Sequence, residues 1–118
     1  MRKLDLVFAW LLVLLGCVHG AGTFIVHKSF TIEAVWFFSG GLVMIMGALL
    51  NFLRIARPED RMTAGICLLA NVLLFGVFVV AVPWTLWNDL KQNPQVFVVA
   101  IGVVVELVFA LKSFLAKR

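Results

Sequence analysis

LLGCVHGAG, residues 14–22, closes the first apolar run of the chain and admits three incompatible readings. Leu14-Leu15-Gly16-Cys17 after a basic start resembles a lipoprotein cleavage site. Cys17 and His19 resemble a pair of metal ligands. Gly16-x-x-x-Gly20 resembles a seam where two lipid-embedded helices touch. Processing is not expected, because Leu15 is a poor residue before the Gly-Cys pair and Asp5 interrupts the basic start. A metal pair is not expected either, since residues two apart on a helix diverge. The stretch therefore reads as part of a helix that packs through its glycines.

Composition points the same way. Of 118 residues, 64% are hydrophobic and 14% charged, against about half and about a quarter in an ordinary soluble domain. A small soluble fold leaves too much of its surface in water to hide that many apolar side chains. Lipid is the expected solvent. The net charge of +4 does not imply nucleic acid, because the basic residues flank apolar runs and form no stripe on a polar face.

A spanning helix needs about 20 mostly apolar residues. Four segments qualify: 4–26, 34–53, 62–83 and 95–111. Short connections, 27–33, 54–61 and 84–94, leave no room for a further domain. The expected fold is an all-α integral membrane protein, a single four-transmembrane-helix bundle over 1–118. Arg2, Lys3, Arg54, Arg57, Arg61, Lys112, Lys117 and Arg118 fall at one set of helix ends, with Lys28 and Lys91 at the other. Eight against two places both termini in the cytoplasm. Trp36, Trp84 and Trp87 then sit at the outer interface, while Trp10 is expected to be buried in the inner half of the first helix.

Positions three, four and seven apart share a helix face. Gly16, His19, Gly20, Thr23 and His27 form one such stripe, with Cys17 turned away. Glu33, Trp36, Gly40, Gly47 and Asn51 form the second, Ala64, Cys67 and Asn71 the third, and Gly102, Glu106, Ala110 and Ser113 the fourth. Gly16, Gly20, Gly40, Gly47 and Gly102 are the expected helix-packing positions.

A carboxylate in hydrocarbon costs at least ~2.5 kcal/mol on insertion scales, so Glu106 must face protein or a water-filled pocket. By helical rise, Glu106 and Asn71 lie near mid-depth and His19 in the outer half. His19, Glu106 and Asn71 are therefore the candidate ligand or proton site, in one cleft opening outward. His27, Glu33 and Trp36 mark its entrance. The competing reading makes Glu106 a protonated group that hydrogen-bonds Asn71 or His19 and only joins helices.

Catalysis is not expected. No Ser/His/Asp order, His-Glu-x-x-His or phosphate-binding glycine loop is present. Cys17 and Cys67 lie in separate apolar runs, without Cys-x-x-Cys or clustered histidines, so neither a disulfide nor a metal site is expected. Haem would need ligands from two helices, and both histidines belong to the first helix or its end. No cofactor is called for.

Gly16-x-x-His19, Thr23, Ala34-x-Trp36-Phe37-x-x-Gly40-Gly41-Leu42 and Asn51 together resemble the uncharacterised small four-helix inner-membrane proteins of bacteria. The likeness covers the first two helices, about half the chain. It implies a bacterial inner-membrane location and no activity. The chain does not resemble small multidrug exporters, whose essential glutamate lies in the first helix, whereas Glu106 is in the fourth. Two functions compete. One is a binding or transport protein for a small polar or cationic ligand or a proton. The other is a non-catalytic accessory subunit, packing as a homo-oligomer or against a larger membrane complex.

Overall fold

A computed structural model describes residues 2–116, so Lys117 and Arg118, two of the basic residues counted above, lie outside the described residues. Four helices, each long and apolar enough to cross a membrane, make up the chain: α1 Arg2–Val26, α2 Ile32–Ala56, α3 Arg61–Thr85 and α4 Gln95–Leu115. Successive helices run antiparallel and close into a bundle, α1 against α2, α2 against α3, α3 against α4 and α4 back against α1. Apolar side chains such as Val7, Leu14, Val18 and Ile25 on one side of α1 remain exposed on the outside.

Local chemistry sets the helix ends. Thr31 caps α2, its hydroxyl accepting from the Ala34 N–H at 3.3 Å. Helix α2 stops at Arg57, where φ is −127° and ψ 66°, because the residue before Pro58 is pushed out of the helical region. Asp60 caps α3, its carboxylate accepting from the N–H groups of Met62 and Thr63 and from the Thr63 hydroxyl. Those bonds, the Thr63 hydroxyl's foremost, hold the Asp60 carboxyl below its usual range.

The spans outgrow the lengths expected from hydropathy. Most consequentially, α2 continues through Arg54 to Ala56, so Arg54 belongs to the helix and not to the loop. Helix α3 contains a wide turn at Gly76–Ala81, in which the Val82 N–H donates to Val77 O, five residues back. Pro83 lies directly beyond it; a proline has no N–H to give and its ring crowds the carbonyl four residues earlier, a strain that a widened turn relieves. The connection expected over 84–94 holds a short 3-10 segment, Trp87–Gln92.

Leu12, Met44, Ala48, Leu74 and Val103 fill the centre of the bundle. The closest backbone approach joins α1 to α2. A Cβ on Gly16 would stand 2.7 Å from Gly41 O, and one on Gly41 would stand 2.6 Å from Gly16 O. Gly41 was not among the expected packing positions. Gly40, its neighbour in the expected stripe, is turned about 100° away and faces the His19 ring. Gly47 accommodates Leu74, Gly102 meets Leu12, and Gly20 meets Phe38 at ordinary contact distance. Trp10 is largely exposed, standing edge-on to Phe52 on the outside of the bundle.

These contacts rank the glycines. Gly16→Ala and Gly41→Ala should each cost about 1–3 kcal/mol through overpacking at a backbone contact. Gly22→Ala, with nothing within 4 Å of its Cβ position, should be neutral. Thermal unfolding in detergent checks the order; equal losses at all three positions would refute it.

Candidate functional site

A stripe of small and polar residues on each helix turns inward, and at one end of the bundle those stripes meet in a polar cluster. Helix α1 supplies Asp5, α2 supplies Asn51 and Arg54, α3 supplies Cys67 and Asn71, and α4 supplies Glu106. All six are buried.

Arg54 is the hub. Its Nη1 donates to Asp5 Oδ2 at 2.8 Å and its Nη2 to Asp5 Oδ1 at 2.7 Å, the paired fork that a guanidinium makes with a carboxylate. The same Nη2 donates at 3.3 Å to Glu106 Oε2 and at 3.3 Å to Asn51 Oδ1. Asn51 and Asn71 pair reciprocally, Asn71 Nδ2 donating to Asn51 Oδ1 at 3.0 Å and Asn51 Nδ2 to Asn71 Oδ1 at 3.4 Å. The Cys67 thiol donates to Asn51 Oδ1 at 2.9 Å, and Asn71 Nδ2 donates to Cys67 O at 2.8 Å. One chain of polar contacts thus crosses all four helices. Two buried atoms in it, Arg54 Nε and Glu106 Oε1, have no hydrogen-bond partner.

Asp5 and Arg54 also line a cavity of about 310 Å³ that Arg2, Pro58, Phe109 and Lys112 help to enclose. It lies at the end of the bundle where α1 begins and α4 finishes. Two carboxylates and one guanidinium therefore sit in an apolar bundle; Asp5 and Arg54 face that cavity, whose mouth carries two further basic side chains, and Glu106 lies behind them, fully buried. Among the described residues, no three of His, Cys, Asp and Glu gather in a metal-binding group.

Of the three residues expected to share one cleft, the structure brings two together. Glu106 and Asn71 belong to the cluster, linked through Arg54 and Asn51. His19 does not. Leu12 faces Gly102 across the α1–α4 contact; His19 lies seven residues from Leu12 toward one end of the bundle and Glu106 four residues from Gly102 toward the other. Eleven rises of about 1.5 Å separate their levels by about 16 Å, with core residues such as Leu12 and Met44 in the interval. The cavity beside the cluster opens at the end of the bundle opposite His19, so Glu106 and Asn71 are not the floor of a cleft that His19 lines.

His19 instead stacks on Phe37, ring centroids 4.0 Å apart and planes at 17°, and lines a separate cavity of about 440 Å³ together with Trp36, Gly40 and Phe78. His27 meets the Phe37 ring edge at 5.5 Å and opens onto a third cavity, beside Phe24, Lys28 and Ala34. Glu33 is exposed at the start of α2. Of the three entrance residues, only Trp36 shares a cavity with His19.

Asp5 and Arg54 were the residues missed. Asp5 reads as an interruption of a basic start, and Arg54 as one more positive loop charge. The stripes contain both: Asp5, Ala9, Leu12, Gly16 and Gly20 advance by four, three, four and four, and Gly40, Gly47 and Arg54 by seven. Extending each stripe into the flanking charge finds the pair.

Neither family models, curated proteins nor solved structures yield a match to the chain.

The hub predicts a rescue. Arg54→Met leaves two buried carboxylates without a cation and should destabilise the bundle by about 3–5 kcal/mol. Adding Asp5→Asn and Glu106→Gln removes those charges and should recover most of the loss. Denaturation in detergent compares the single and triple variants; a triple variant no more stable than Arg54→Met would show that charge pairing is not what the cluster contributes.

Proposed function

We propose that the chain is a multi-pass inner-membrane protein with both termini in the cytoplasm, and that its Asp5–Arg54–Glu106 cluster takes up and releases a proton from the cytoplasmic side. One observation carries this reading: two buried carboxylates share a single guanidinium beside a cavity at the helix ends. With both carboxylates ionised the cluster holds an unbalanced negative charge in an apolar surround. One proton makes it neutral, and burial penalises whatever charge is left over.

The orientation is supported by where the basic residues fall. Arg2, Lys3, Arg54, Arg57, Arg61 and Lys112 gather at the cluster's end of the bundle, and Lys28 and Lys91 at the other. Trp36, Trp84 and Trp87, all exposed, form a belt at that opposite end.

A proton is favoured over a metal cation as the ligand. Arg2 and Lys112 beside the cavity raise the cost of bringing a cation in, whereas a proton exchanges through water. Glu106 is the group that carries it. Asp5 is bound by both guanidinium nitrogens, while Glu106 holds one longer bond and has a free Oε1. Protonating Glu106 weakens its attraction to Nη2 and leaves Arg54 to Asp5 and Asn51, which loosens the α2–α4 link. The site thereby couples proton occupancy to helix packing, as a small transport or proton-responsive protein requires.

Infrared difference spectroscopy on the protein in lipid tests this. A protonated-carboxyl band should appear and disappear with pH in the wild type and be missing in Glu106→Gln. If no titrating carboxyl is lost in Glu106→Gln, and its stability and assembly also match the wild type, the proton reading fails and the accessory-subunit reading takes its place.

A further inference from the structure

The cavity beside His19 takes no part in the proton reading. His19, its polar point, lies about 16 Å along the bundle from Glu106, and the cavity's lining contains no Asp, Glu, Lys or Arg. Trp36, Phe37 and Phe78 supply aromatic wall, Met44 and Val99 its inner end, and Asn93 and Gln95 its outer end. From Trp36 to Met44 it extends over eight residues of α2, about 12 Å. A volume of about 440 Å³ falls in the usual range of small-molecule sites, about 300–1,000 Å³, which are mostly apolar with a few placed polar groups.

Three structural features form this space. The wide turn of α3 that precedes Pro83 contributes Val77 and Phe78 to the wall. Gly40 leaves room beside the imidazole: a Cβ there would stand 3.2 Å from His19 Nε2. Phe37 fixes the plane of the His19 ring by stacking against it. The outer rim is a small amide cluster, in which Gln95 Nε2 donates to Asn93 Oδ1 and Asn93 Nδ2 donates to Asp89 O.

We propose that this cavity is a binding site for a planar, uncharged, lipid-soluble ring compound bearing carbonyl oxygens, the chemistry of a quinone. An ionic ligand would lose its hydration here with no opposite charge to replace it. A purely aliphatic ligand would make no use of the imidazole. A flat ring fits among Trp36, Phe37 and Phe78, and its carbonyl accepts a hydrogen bond from the imidazole N–H. The exposed Trp36 and Trp84 stand at this end of the bundle, where such a molecule arrives from the bilayer.

Decyl-ubiquinone is a suitable probe, read by quenching of tryptophan fluorescence in the purified protein, because Trp36 lines the cavity. Quenching should saturate in the wild type. His19→Phe keeps a ring against Phe37, removes the hydrogen bond, and should weaken binding about tenfold. Val96→Phe places a larger apolar side chain in the wall and should abolish saturation. Circular dichroism confirms that the variants are folded; if His19→Phe fails to fold, Val96→Phe decides. Equal affinity in wild type and Val96→Phe, non-saturating quenching in the wild type, equal affinity in a folded His19→Phe, or competition by decanol as strong as by the quinone would each overturn the proposal. Val96→Phe should keep the pH-dependent carboxyl band that Glu106→Gln removes, which separates failure here from failure of the proton reading.

Discussion

A guanidinium buried among four apolar helices is costly unless its donors are met, and both terminal nitrogens of Arg54 meet carboxylates from other helices, with Nε alone left unpartnered. Desolvating each ion costs on the order of several kcal/mol, and good geometry with added hydrogen bonds is what offsets it. The paired fork onto Asp5 fixes α1 against α2, and the third contact, to Glu106, fixes α4. Asn51 carries the connection to Cys67 and Asn71 on α3. Lipid tails give no hydrophobic drive for apolar helices to associate. The cluster and the close Gly16–Gly41 contact therefore supply what apolar surface alone does not: a reason for one arrangement of the helices.

The two ends of the bundle have different chemistry, and the core between them keeps them apart. At one end, charge is concentrated, hydrogen bonds are short, and basic side chains line the way in. At the other, the walls of the His19 cavity are aromatic and aliphatic and include no Asp, Glu, Lys or Arg. Leu12, Met44, Ala48, Leu74 and Val103 occupy the intervening layer. The proton site proposed for the first end and the ring site proposed for the second rest on these local environments independently. The wide turn in α3 matters because it shapes only the second.

The four helices were legible because lipid demands long apolar runs, and that demand leaves a plain pattern. The inward stripes were legible too: Asn71 and Glu106 stand in one network, and Gly16 lies at the close backbone contact with α2. Three things were hidden, each for a physical reason. Arg54 looks like a loop charge because hydropathy ends a span at the first cation, whereas a cation with a buried partner can sit inside the helix. Depth estimates put His19 and Glu106 in one cleft because they assume evenly immersed spans; the register set by Leu12 against Gly102 separates them. Gly40 and Gly41 are adjacent glycines about 100° apart, and only packing reveals which one touches α1.

The pairing of Arg54 is the claim on which the rest stands, because a basic residue near a span end could equally reach out to lipid phosphate. Solid-state NMR dipolar recoupling in bilayers, with labelled arginine nitrogens and labelled Asp and Glu carboxyl carbons, distinguishes these alternatives. The structure predicts strong dephasing of the Arg54 side-chain nitrogens by the Asp5 carboxyl carbon, weaker dephasing by that of Glu106, and none by lipid phosphorus. Strong coupling of Arg54 to lipid phosphorus, with none to either carboxyl, would contradict the account.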